Sequence, residues 1–110
     1  MENINEFDKG IKFSFNETIN YADKAVVSKQ ILKQQKGNIT LFAFDKGQEL
    51  SEHKTSFDAL VTIIDGKADI IIDGKSNVLE ASESIIMPAN IPHALKAIEK
   101  FKMLLTMIKS

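Results

Sequence analysis

Apolar and polar residues alternate with a period of two through most of the middle of this chain, and that period predicts strands. Ile39-Thr40-Leu41-Phe42-Ala43-Phe44 is rich in β-branched and aromatic residues and reads as one. Ile64-Asp65-Gly66-Lys67 recurs further on as Ile72-Asp73-Gly74-Lys75. Asp-Gly between apolar β-branched runs signals a type I′ hairpin, which needs positive φ at both central residues. Two such turns would bracket Ala68–Ile72 and give a three-strand meander. Ser76–Leu79 and Ser84–Met87 read as two more short strands around a polar turn at Glu80–Glu83.

The flanks are less regular. Met1–Asp23 reads as peripheral, with the alternating piece Ile11-Lys12-Phe13-Ser14-Phe15 as an edge strand. Val26–Leu32 fits either a short helix ending at Gly37 or the first arm of a hairpin turning at Lys36-Gly37-Asn38. At the C-terminal end, Leu95, Ile98, Phe101, Leu105 and Ile108 lie near helical spacing. The alternation from Phe101 to Ile108 equally allows a buried strand, and propensity alone does not choose. Short strands separated by turn residues predict a β-sandwich or barrel.

A chain of 110 residues suits one domain. We divide it into an N-terminal arm and edge strand over residues 1–25 and a barrel over 26–110. The apolar fraction of 44% and charged fraction of 26% are ordinary for a globular domain. A net charge of -1, with no block of like charges, argues against nucleic acid or a membrane surface as partner. No cysteine is present, which excludes disulfides, thiolate metal sites and a cysteine nucleophile and fits the cytoplasm. MENINEFDKG lacks a basic, then apolar, leader pattern, and the longest apolar runs are too short to cross a bilayer.

The stretch Gly47–Gly66, GQELSEHKTSFDALVTIIDG, resembles the first cupin motif: a glycine, His-x-His, a glutamate and a closing glycine. Gly47, His53 and Gly66 fall in register with it. Ser82–Ala97, SESIIMPANIPHALKA, resembles the second motif, with Pro88 and His93 in register. The resemblance runs from Val26 to Ile108 and implies an all-β, antiparallel, jelly-roll-like barrel, with strand in both ambiguous segments. The sequence supports it separately. Pro88 and Pro92 bracket a short segment that must turn sharply before His93 opens the next strand. If Val61 and Ile63 face inward, the period of two places Ala59 inward and Asp58 outward.

In the family, two first-motif histidines, the glutamate and the second-motif histidine meet around a divalent metal. Here Thr55 stands at the second histidine position and Ala59 at the glutamate. Ser82 and Asn90 replace two glycines of the second motif, and Ala97 replaces its final asparagine. His53 and His93 are the two remaining ligands, so the resemblance implies at most a weakly bound divalent transition metal. Without metal, they would serve as polar anchors or an acid/base pair in a pocket. Thr55 and Met103 are candidate pocket residues. Their ordinary alternatives are a strand threonine and core filling, as for Met87 and Met107. Asp58 is a displaced ligand only if a bulge turns it inward; otherwise it is an outward carboxylate capping a bend.

Three functions remain: binding of a small molecule, cupin-type enzymology (a metal-dependent isomerase or dioxygenase, or metal-free acid/base catalysis), and a regulatory module with a separate partner. Binding is the reading that requires nothing further. A homodimer is also expected, because small barrels leave edge strands to cover and Ile11–Phe15 could add to a neighbour's sheet.

Overall fold

Two long strands form the spine of the fold, and both serve two half-sheets. The computed structural model describes residues 7–110. After a single helical turn, α1 (Phe15–Thr18), come β1 (Val26–Gln34), β2 (Gly37–Phe44), β3 (Glu49–His53), β4 (Asp58–Ile72), β5 (Lys75–Glu80), β6 (Ser84–Met87) and β7 (His93–Ile108). All pairings are antiparallel. The first half of β4 and the second half of β7 pair centrally, flanked by β6 on one side and by β2 and β1 on the other. The second half of β4 and the first half of β7 pair again, flanked by β5 and β3. Both ambiguous segments, Val26–Leu32 and the C-terminal run, are therefore strands. Their apolar residues line a sheet face, which local propensity could not foresee.

The first of the two Asp-Gly pairs is not a hairpin, and the three-strand meander is not formed. Asp73 and Gly74 both have positive φ, 52° and 79°, and close the β4–β5 hairpin with Ile72 opposite Lys75. At Asp65-Gly66 only the glycine is positive, at 86°, and β4 runs on through a bulge. A Cβ on Gly66 would lie 1.9 Å from the Lys100 carbonyl oxygen, so β7 can cross here only over a glycine. The irregularity also shifts the inward set of β4 from Ala59, Val61 and Ile63 to Ala68 and Ile70. One strand thereby faces the same core from both half-sheets.

That core contains Phe44, Val61, Ile63, Ile70, Leu95, Phe101 and Met103, all at 2% exposure or less. Phe44 and Phe101 stack at 4.4 Å between ring centroids. A second cluster lies on the outer face of the β1-β2-β7-β4 half-sheet. There Ile19 is fully buried against Leu41 and Ala43, with Tyr21, Val27, Ile31, Ile64 and Leu104 around it.

Ile11–Phe15 is not an edge strand. Residues 11–14 are irregular, and Phe15 begins α1. Its aromatic residues pack on one another instead, with Phe7–Phe13 centroids at 4.6 Å and Phe13–Phe15 at 5.7 Å. The arm then straps across the outer sheet face. Lys29 Nζ donates to the Thr18 carbonyl at 2.7 Å, and Lys102 Nζ donates to the Asn16 carbonyl at 2.7 Å and to its Oδ1 at 3.0 Å. The Tyr21 hydroxyl donates to Asp65 Oδ2 at 2.5 Å. Burial, then the Asp65 carboxylate, pushes the Tyr21 phenol well above its ordinary range.

Candidate functional site

His53 and His93 are cross-strand partners, His53 ending β3 and His93 opening β7. Their rings meet edge to face, with centroids 4.5 Å apart and planes at 70°. His93 is buried at 4% exposure, whereas His53 is exposed. On its other side His93 pairs with Ile72 of β4, just before the hairpin. The turn feeding His93 is held by three backbone bonds: Ile91 N–H to the Pro88 carbonyl at 3.4 Å, Asn90 N–H to the Thr55 carbonyl at 2.7 Å, and Asp73 N–H to the Pro92 carbonyl at 2.8 Å. Two prolines restrict the turn, and these bonds tie it to the β3–β4 connection and to the β4–β5 hairpin.

Each imidazole is oriented by the carbonyl two residues before it. His53 Nδ1 lies 2.8 Å from the Ser51 carbonyl oxygen, and His93 Nδ1 lies 3.3 Å from that of Ile91. A carbonyl only accepts, so each Nδ1 carries a proton, and a neutral ring so held keeps its lone pair on Nε2. Burial, then the neighbouring His53, lowers the pKa of His93 below the ordinary imidazole value, with the Ile91 carbonyl opposing in part. The buried ring is thus held neutral. Chemically the pair offers two nitrogen acceptors, one buried and one open to solvent.

The other sequence candidates lie as follows. Thr55 is half-buried, but its hydroxyl is engaged locally, accepting from Phe57 N–H at 2.8 Å and reaching the Phe57 carbonyl at 3.4 Å. Ala59 faces inward at 1% exposure, with Met87 and Met107 as its cross-strand neighbours. Asp58 faces outward and accepts a hydrogen bond from Ala89 N–H at 2.8 Å, anchoring the turn after β6. Met103 is fully buried in the interior cluster, paired with Phe42 and Ile63.

A resident metal does not fit this donor set. Among the described residues, no group of three or more His, Cys, Asp or Glu side chains could hold an ion. Thr55 is occupied by Phe57 and Ala59 has no donor, which leaves two imidazoles where a firmly held transition metal takes three or four ligands.

Sequence reasoning missed the polar bolt beneath the strap. In sequence Asp65 reads as a turn residue, yet it accepts from Tyr21 44 positions away. Lys102, on a strand with alternating apolar neighbours, is buried at 7% exposure. Among the described residues, no helix is long and apolar enough to cross a membrane.

Comparison with known proteins agrees with this architecture. No curated protein matches the chain. A conserved protein of unknown function from Streptococcus pyogenes is 36% identical, with a TM-score of 0.91 over 100% of this chain and 96% of that one. A cupin 2 conserved barrel domain protein from Leptotrichia buccalis is 40% identical, with a TM-score of 0.86 over 88% of this chain. This chain covers 47% of that protein, about half its length. A cupin superfamily protein from Desulfitobacterium hafniense, 24% identical, superposes with a TM-score of 0.88 over 99% and 100% of the two chains and shares the fold. The cupin domain family matches residues 40–109, from β2 through the end of β7. With that match over more than half its length, and with His53 and His93 side by side where the two halves of the motif converge, this chain belongs to the cupin family.

Proposed function

We propose that this cupin barrel binds a small molecule at the His53–His93 pair, without a resident metal. The observation that supports the reading is that the two rings lie 4.5 Å apart with each Nδ1 facing a backbone carbonyl. Each Nδ1–H is spent on a backbone carbonyl, which leaves Nε2 of each of two neighbouring rings for a ligand. Such a pair favours a ligand bearing hydroxyl or N–H donors. Ile72, beside His93 in register, and Leu50, packed against the core from β3, add apolar surface for the ligand's carbon skeleton.

A second reading rests on the lowered pKa of His93. A buried imidazole kept neutral beside a second imidazole is suited to taking a proton from a substrate and passing it on, which is metal-free acid/base catalysis. A weakly held divalent ion, completed by water or by a ligand's own oxygens, would be a guest of the same two nitrogens.

Ligand-observed NMR against a set of small polyols and amino alcohols tests the binding reading. Hits should compete with one another, shift the His53 and His93 ring resonances, and lose binding in both His53→Ala and His93→Ala. Hits that persist in the double variant, or shift only residues remote from both histidines, would overturn it.

A further inference from the structure

The pentapeptide Ile-Ile-Asp-Gly-Lys occurs twice, as residues 63–67 and 71–75. Reactivity encoded by the local sequence is therefore the same at both places, and any difference between them is made by the fold. Asp-Gly has a reactivity of its own. Glycine carries no Cβ to hold the preceding side chain away from its amide nitrogen. That nitrogen can reach the aspartate carboxyl carbon wherever the backbone is free to turn.

At the first copy it is not free. Asp65 Oδ2 accepts from the Tyr21 hydroxyl, and β7 pairs with β4 on both sides of the bulge, Asp65 opposite Lys102 and Gly66 opposite Phe101. The Lys100 carbonyl closes over Gly66. Ile63 N–H to the Glu83 carbonyl at 2.9 Å and Ser82 N–H to the Ile63 carbonyl at 2.8 Å hold the other edge of the same stretch. Bringing the Asp65 carboxyl onto the Gly66 nitrogen requires β4 to leave β7, which opens the barrel. The second copy ends in an exposed turn. The β4–β5 ladder stops at Ile72 opposite Lys75, and no heavy atom lies within 4 Å of a Cβ on Gly74. Asp73 sits at φ 52°, a left-handed conformation that a residue with a Cβ adopts only at a cost. Such a turn opens locally with the core intact, and local openings are far more frequent than global ones.

We infer that Asp73 is a site of isoaspartate formation in the folded chain, that Asp65 is protected, and that the change at Asp73 reaches His93. The Gly74 amide nitrogen attacks the Asp73 carboxyl carbon. The amide proton leaves with one carboxyl oxygen as water, and a succinimide closes. Water then reopens the ring, so the net mass is unchanged. Opening at the former main-chain carbonyl turns that group into the free carboxylate. The main chain of residue 73 then runs through Cβ and Cγ and is one atom longer. Ile72, directly before this residue, is the cross-strand neighbour of His93, and Asp73 N–H donates to the Pro92 carbonyl at 2.8 Å. A two-residue turn lengthened by one atom cannot keep both Ile72 opposite Lys75 and Asp73 N–H on Pro92. The peptide that leads into His93 thereby loses its tie to the hairpin.

Peptide mapping of the full chain tests this, after ageing at neutral pH and physiological temperature, folded or in guanidinium chloride. Trypsin releases the two copies in separate peptides, residues 55–67 and 68–75, and electron-transfer fragmentation assigns isoaspartate to its position. In denaturant the two copies should react at similar rates, as their shared sequence requires. In the folded chain Asp73 should convert at least about tenfold faster than Asp65, because only a turn has to open. A second set of His93 ring signals should grow with the isoaspartate fraction in NMR spectra of the aged protein, while the Phe101 amide stays single. Equal rates at Asp65 and Asp73 in the folded chain overturn the inference, as does an Asp73 that is no more reactive there than Asp65. A His93 spectrum that stays single while isoaspartate accumulates at Asp73 overturns its transmission to the histidine pair.

Discussion

Ser82 and Asn90 stand where the cupin motif carries glycine, and both retain the backbone that glycine would adopt, with φ of 74° and 65°. Asparagine tolerates this region better than serine because its short amide compensates locally, so serine carries the larger strain. Ser82→Gly should raise the stability of the fold by roughly 0.5–1 kcal/mol and Asn90→Gly by less, read as denaturation midpoints at constant m-value. His93 has the opposite kind of cost. Its pKa in the folded chain lies below the unfolded value, so the stability it permits is fully present above about pH 6.5 and is lost as pH falls through the folded pKa. The wild-type chain should accordingly lose more stability between neutral and mildly acidic pH than His93→Gln, in thermal melts across that range. Binding through its Nε2 acceptor should weaken over the same interval, because a protonated ring accepts nothing.

Among the elements, the strap has the least regular structure and a clear structural task. Ile19 is fully buried on the outer sheet face and is flanked by Lys29, Lys102 and Asp65, whose polar atoms take up the strap's own polar groups. Ile19→Ala should cost about 2–4 kcal/mol, the usual range for emptying such a site. Ile11→Ala, at a position 65% exposed, should change stability by no more than about 0.5 kcal/mol. Urea denaturation of the two variants compares them directly. The strap also accounts for the exposed alternation Ile11-Lys12-Phe13-Ser14-Phe15. In this chain the pattern serves an aromatic cluster instead of a sheet pairing.

For the whole molecule, stability resides in the interior shared by both half-sheets and not in any ligand. Two imidazoles provide half of a coordination shell, and neither is needed to close the core. Dialysis against a mild chelator should therefore leave the melting temperature and the circular dichroism spectrum unchanged, with elemental analysis giving well under one metal per chain. A stoichiometric, chelator-resistant ion would show that another donor completes the shell. That result would count against both metal-free readings and favour the metal-dependent enzyme that the motif resemblance implies.

Local chemistry alone specified much of this protein. The period of two placed Ala59, Val61 and Ile63 inward and Asp58 outward, and the two prolines marked the turn before His93. The resemblance to the two cupin motifs, beyond local chemistry, implied that His53 and His93 would meet. Three features depended on the tertiary structure. Val26–Leu32 and the C-terminal run became strands because each had a sheet to join, a contact no local window contains. The two Asp-Gly pairs, nearly identical as sequence, diverged. At Gly66 the chain is held straight by pairing with β7 on both sides of the bulge, with the Lys100 carbonyl over the glycine, while at Gly74 β7 has ended and the chain is free to reverse. Tyr21, Asp65 and Lys102, far apart along the chain, came together only when the arm crossed the sheet. A hydrogen bond between residues 44 positions apart leaves no periodicity to read, because it is made by the fold and not by the segment.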